Sequence, residues 1–271
     1  MTRRKIWVGL GTALLATSPA AQAAAQGSDA RGSWQVAQHQ GHDAAQAEGE
    51  GEGEGGGVEL PADLRFYRDV ELIRGHLLVG HELVEAGRWA DALPHFLHPE
   101  EEIYNGLREG LKTYKVSPFL TALKALTQTV KAKNKEAYAR ARAAVDERLA
   151  GAEAAVRAGQ ADAAAFAVET ALEVLQVAAE EYEAAIAKGR IANVVEYQDA
   201  RGFVLETERL VGTHAQALQA KNADALKAVQ ASLGELKGAF PAAVPPAKPV
   251  RDAGQFLGAV STFELQVGKL R

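Results

Sequence analysis

Apolar residues recur at helical spacing from the first segment that looks ordered. Pro61 or Asp63 suits a helix start, and Leu64, Val70, Ile73, Leu77, Gly80 and Val84 follow on one stripe until Gly87 ends the run. A second helical region is predicted from about Trp89 to Tyr114, interrupted by Pro94 and Pro99. Ser117-Pro118 reads as an N-cap and first-turn pair opening a third helix that ends near Asn134. Further helices are predicted over about 135–158, 161–188, 190–220 and 223–239, punctuated by Gly159, Gly189 and Asn222. One more runs from Asp252 to Leu270, after the Pro-rich connector FPAAVPPAKPV at 240–250. No segment alternates with period two over a useful length. The predicted class is all-α: an antiparallel bundle of about eight helices, those over 59–239 together with a C-terminal helix (251–271) that packs on them.

The N-terminus departs from this pattern. Arg3, Arg4 and Lys5 precede an apolar run from Ile6 to Ala16 and an A-x-A site at Ala21-Gln22-Ala23, the layout of a cleaved signal peptide over 1–23. The run is too short to span a bilayer, so no membrane span is expected in the mature protein. Periplasmic export is the localisation this predicts. Residues 24–58 are polar and rich in Gly and Glu, with too little apolar surface to offset ordering entropy, and read as a disordered linker. His39 and His42 within it suggest a metal-gathering tail or a plain solvated segment.

Composition narrows the chemistry. There are no cysteines, and the one Met is the initiator, so imidazole and carboxylate are the metal ligands on offer. Aromatics make up 6 % of the chain and Ala is abundant, which favours closely packed helices. Without residues 1–23 the chain carries 27 Lys+Arg against 35 Asp+Glu, a net −8 that argues against nucleic acid and suits attraction of cations.

Four of the seven histidines, His76, His81, His95 and His98, lie between residues 74 and 104. His76 and His81 are five residues apart, about 140° around a helix, so they cannot share a face. His76 lies beside the apolar stripe, whereas His81 stands four residues from Glu85, as in a surface pair. His95, His98 and Glu102 fall at spacings of three and four, within about 60° on a continuous helix, and could face one ion. The turn near Gly87–Arg88 would bring His76 to the height of His98. This predicts a Zn or Fe site built from His76, His95, His98 and Glu102. The alternative is capping and packing: Pro99 would open a new helix, with His98 near its N-cap and Glu101 at N3 of a capping box.

Other candidates carry less. His214 reads as a structural histidine, and Glu169 with Glu173 as a solvated face. Glu196 and Asp199 sit at i,i+3 with Arg201 close in sequence, the pattern of an inter-helix ion pair. No Glu-x-x-His, H-E-x-x-H, G-x-S-x-G or P-loop occurs. The stretch HELVEAGRWADALPHF resembles one tetratricopeptide helix–turn–helix, but a single copy makes no solenoid.

The segment Gly75-His76-Leu77, Gly80, Glu82-Leu83, Gly87, His95, His98-Pro99, Glu102-Ile103-Tyr104 resembles a pattern of uncharacterised exported helical proteins of proteobacteria. More distantly, the chain resembles imelysin-like periplasmic proteins, some tied to iron uptake, whose mark is G-x-H-x-x-E. Here His98-Pro99-Glu100-Glu101 supplies H-x-x-E, with Phe96 in the Gly position. The resemblance implies periplasmic metal binding and names no enzymatic activity. The leading expectation is therefore capture or delivery of a divalent metal ion, with an envelope protein as a possible partner. The rival expectations are a metal-free helical scaffold of the envelope and a metallohydrolase using Glu101 or Glu102 as base.

Overall fold

Short polar side chains start most of the long helices. Asn134, Asp162, Asn193, Asn222 and Asp252 each accept a hydrogen bond from a first-turn amide, and Asp252 with Gln255 completes a reciprocal capping box. The computed structural model describes residues 60–271. The signal-peptide and linker expectations, with His39 and His42, lie outside the described residues.

In chain order the helices are α1 (Ala62–Glu85), α2 (Trp89–Ala92), α3 (Pro94–His98), a π-helical turn (Pro99–Ile103), α4 (Tyr104–Thr113), α5 (Leu120–Lys131) and α6 (Lys135–Arg157). They continue as α7 (Ala163–Ala185), α8 (Val194–Thr213), α9 (Ala215–Lys221), α10 (Ala223–Lys237) and α11 (Ala253–Val267). The described residues are all-α apart from one two-residue ladder, β1 (Ile186–Ala187) against β2 (Arg190–Ile191). Lys188 and Gly189, both at positive φ, close it as a two-residue hairpin, which the helix expected over 161–188 did not foresee. No helix among the described residues is long and apolar enough to cross a membrane.

Helices α7 and α8 pair along their length, and α1 lies across both. Two glycines permit the approach of α1 to α8. A methyl group on Gly202 would overlap the Gly75 carbonyl, and one on Gly75 would meet the Phe203 ring. At the other end Tyr182 stacks on Phe256 at 4.4 Å, edge-on to Phe240, which pins α11 and the connector to α7.

Two expected boundaries shift for identifiable reasons. Helix α5 starts at Leu120 rather than Ser117-Pro118, because the Phe119 amide donates to the Tyr104 hydroxyl and Phe119 is not helical. The interruption expected at Pro94 and Pro99 is a distortion instead of a break. Leu93, His98, Pro99 and Ile103 all keep right-handed helical dihedrals. Pro99 has no N–H and crowds the carbonyl four residues back, and the chain widens by one residue, with the Tyr104 amide reaching the Pro99 carbonyl.

Candidate metal centre

Three helical segments deliver the centre. Helix α1 supplies His76, α3 supplies His95 and His98 on one face, and α8 supplies Gln198 and Asp199. Glycines set the spacing here too: Gly75 faces α8, while Gly80 faces the Phe96 ring and the Cβ of His95. The look-alike Gly-His pairs at 75–76 and 80–81 are thus two close helix contacts. One of them places His76, and the other admits α3.

The side chains converge on one carboxylate. Asp199 Oδ1 lies 2.7 Å from His76 Nδ1 and 2.6 Å from His95 Nδ1, and Oδ2 lies 3.1 Å from His98 Nδ1. Donor atoms of His76, His95 and Asp199 all fall within 4.8 Å of one another. The rings of His76 and His98 meet edge to face at 5.2 Å. His95 is fully buried and Asp199 nearly so, whereas the His98 side chain is 22 % exposed and forms the solvent side of the cluster.

Burial works to raise the Asp199 carboxyl, but the field of His76 and hydrogen bonds from all three histidines outweigh it, holding the group well below the usual carboxylate range. His98 is raised above the ordinary imidazole value, first by its bond to Asp199 and further by the fields of Asp199, Glu102 and Glu196, against burial. Beside His98 stands an acidic rim. Burial, then the hydrogen bond and charge of Glu196, push Glu181 up to about 9, with smaller contributions from Asp199 and Glu102.

Of the sequence candidates, His76, His95 and His98 come together. Glu102 sits exposed on the π turn and acts on His98 and Glu181 through its field. The capping alternative is not what the backbone shows: His98 is helical and makes no cap hydrogen bond. His81 faces away, its Nδ1 3.2 Å from the Tyr138 hydroxyl and its Nε2 on Arg142. Because Arg142 can only donate, that nitrogen carries no proton, and burial followed by the Arg142 charge lowers the His81 pKa. His214 lies 3.5 Å from Arg157, and Glu169 pairs with Arg271.

Asp199 and Gln198 are the residues that sequence reasoning did not assign to the site. The ion pair expected between Arg201 and its acidic neighbours is a different pair: Arg201 binds Glu82 on α1 through two contacts of 3.0 and 3.1 Å. Residues two apart lie about 200° apart on a helix, so Arg201 and Asp199 cannot share a face. That angle, with the apolar surroundings of "YQDARGF", was the available signal.

A family model described as the iron permease-associated 4-helix bundle domain matches residues 157–270. The matched stretch holds α7, α8, α10 and α11, the short α9, and the two residues Gln198 and Asp199. The three histidines of the centre lie before it. The likeness is to a helical, metal-related domain, and it falls on a different stretch from the imelysin-like motif at 98–101. No curated protein and no solved structure matches the chain.

Proposed function

We propose that the protein binds a divalent transition-metal ion, Zn or Fe, through His76, His95, His98 and Asp199, and captures or delivers it in the periplasm. The observation that carries this reading is the convergence of three imidazole nitrogens on one buried carboxylate. Three nitrogens and an oxygen form a donor set that suits both metals. Ligands 2.0–2.1 Å from a tetrahedral ion stand about 3.3 Å apart, so uptake asks the 2.6 and 2.7 Å contacts of His95 and His76 with Asp199 to open by roughly 0.6–0.7 Å and His98 to draw in toward the other donors. Glu102 and Glu196 lie where their fields reach His98 on its solvent side, and their negative charge favours a cation on its way in. The similarity of 157–270 to an iron permease-associated domain supports a metal-related role and gives weight to iron as the cargo.

The test is calorimetric titration of the purified full chain, without a His-tag, with Zn(II) and with Fe(II) under anaerobic conditions. A saturable site of one ion per chain is expected, lost in a His95→Ala/His98→Ala variant that keeps its helical circular dichroism. Equal and negligible heats in both proteins would remove the proposal.

A further inference from the structure

The two ends of the Gln198 amide have different partners, and those partners determine where a proton sits on His95. One end lies 3.0 Å from the carbonyl oxygen of Ala243, in the connector, and the other 2.9 Å from His95 Nε2. A carbonyl oxygen only accepts, so the end facing Ala243 is the NH2 group. The end facing His95 is therefore the amide oxygen, and Nε2 must donate to it. With Nε2 protonated, the neutral ring presents a lone pair at Nδ1, aimed at Asp199 Oδ1 from 2.6 Å. Two acceptors at that distance need a proton between them, and a metal ion takes that proton's place as the contact opens.

Residues on either side of Gln198 grip the same connector. The Tyr197 hydroxyl lies 3.5 Å from the Ala242 carbonyl, and Arg201 Nη1 lies 3.4 Å from the Phe240 carbonyl. A hydrogen-bonded path therefore runs from the connector through Gln198 and His95 to Asp199. Second partners of this kind fix the tautomer and ring orientation of metal-ligating histidines.

We propose that Gln198 is a positioning residue, which holds His95 as the Nε2–H tautomer so that Nδ1 is its metal-binding atom, and which makes the Ala243 carbonyl an outer part of the centre. This rests on the metal reading above for its loaded state, but its metal-free part stands alone.

The experiment is long-range 15N–1H correlation spectroscopy of the full chain labelled at histidine, without metal and with one equivalent of Zn(II). It is run on the wild type, Gln198→Leu and Gln198→Glu. The wild type should show His95 protonated at Nε2 in both states, with Zn(II) moving its Nδ1 resonance. Gln198→Leu should lose the fixed tautomer and bind Zn(II) about 10- to 100-fold more weakly. Gln198→Glu retains an acceptor opposite Nε2–H and should keep the tautomer. Since neither variant can donate to Ala243, both should speed hydrogen exchange in the connector. A wild-type His95 that binds Zn(II) through Nε2, or a Gln198→Leu protein with wild-type tautomer and affinity, would overturn the inference. If no histidine resonance answers to Zn(II), the metal reading fails. In that case a protonated Nε2 in the metal-free wild type, lost in Gln198→Leu, still supports the tautomer assignment, and its absence overturns that as well.

Discussion

Helices α1 and α8 hold two buried polar clusters within two turns of each other, and the two balance their charge by opposite means. Toward the start of α1, Glu71 meets Glu206 of α8 and Glu153 of α6 around one guanidinium, with Arg209 Nη2 at 2.9, 2.6 and 3.2 Å from the three carboxylates. Arg74 adds a second guanidinium on Glu153. Burial raises the pKa of both Glu71 and Glu206, and a hydrogen bond joins the two side chains. One oxygen of each has no other donor. A shared proton completes the balance: three carboxylates, two arginines and one proton. In the other cluster the hydrogen-bond partners of Asp199 are three imidazoles. Its positive charge is exchangeable where that of the first is covalently fixed, and only an exchangeable cation can give way to a metal. Burial of acidic groups therefore does not by itself mark a metal site; what marks it is the absence of a built-in cation.

Removing the anion of the histidine cluster should have the largest effect. Asp199→Ala should abolish high-affinity Zn(II) binding, and a Zn(II) titration that returned wild-type affinity would place the ligands elsewhere. In the wild type, Zn(II) at a hundredfold excess over its dissociation constant should add about 2.7 kcal/mol of stability, reversed by chelator, as read from urea melts.

Arg209→Met attacks the fixed cation of the other cluster. Breaking a fully buried network costs about 3–5 kcal/mol, and because Arg209 is a third exposed we expect about 2–3 kcal/mol. Metal affinity should be unchanged. A matching drop in Zn(II) affinity would show that the two clusters are coupled and sink the distinction drawn between them.

Gly202→Ala strikes the helix contact common to both clusters. Overpacking there should cost about 1–3 kcal/mol, measured by thermal melts, and should weaken metal binding because α1 must move from α8. An alanine variant as stable as the wild type would mean that the contact is looser than the distances imply.

The smallest effect is a change of slope with pH. Glu71 and Glu206 have folded-state pKa values above the ordinary carboxylate value. Their stabilising contribution is complete below that ordinary value and is lost as pH rises through the folded one. Glu206→Gln keeps a donor for the Glu71 oxygen without a titrating proton, so its stability should fall less than that of the wild type from pH 5 upward. Parallel stability–pH curves would contradict the shared proton.

The fold was legible because its determinants are local. Helical spacing of Leu64 to Val84, and caps such as Asn134, Asp162, Asn222 and Asp252, act within a few residues. The hairpin at Lys188-Gly189 and the late start of α5 escaped because a two-residue turn and one Tyr104 hydrogen bond outweighed helix preference. Half of the centre was legible on the same grounds: His95 and His98 share a face by spacing, and His76 and His81 cannot.

Asp199 and Gln198, a hundred or more residues from the two histidines of α3 in sequence, were beyond such reasoning. Helical spacing separates Asp199 from Arg201, but three residues put it on the same side as Glu196 and do not say which acid meets the histidines. Only the packing of α8 on α1, as close as Gly75 and Gly202 allow, decides which acid is buried against imidazole and which stays at the rim. The sequence determined by itself most of the helices and the imidazoles one face can present. The tertiary structure decided the anion they share, because a side chain's charge environment is set by helices that meet in space.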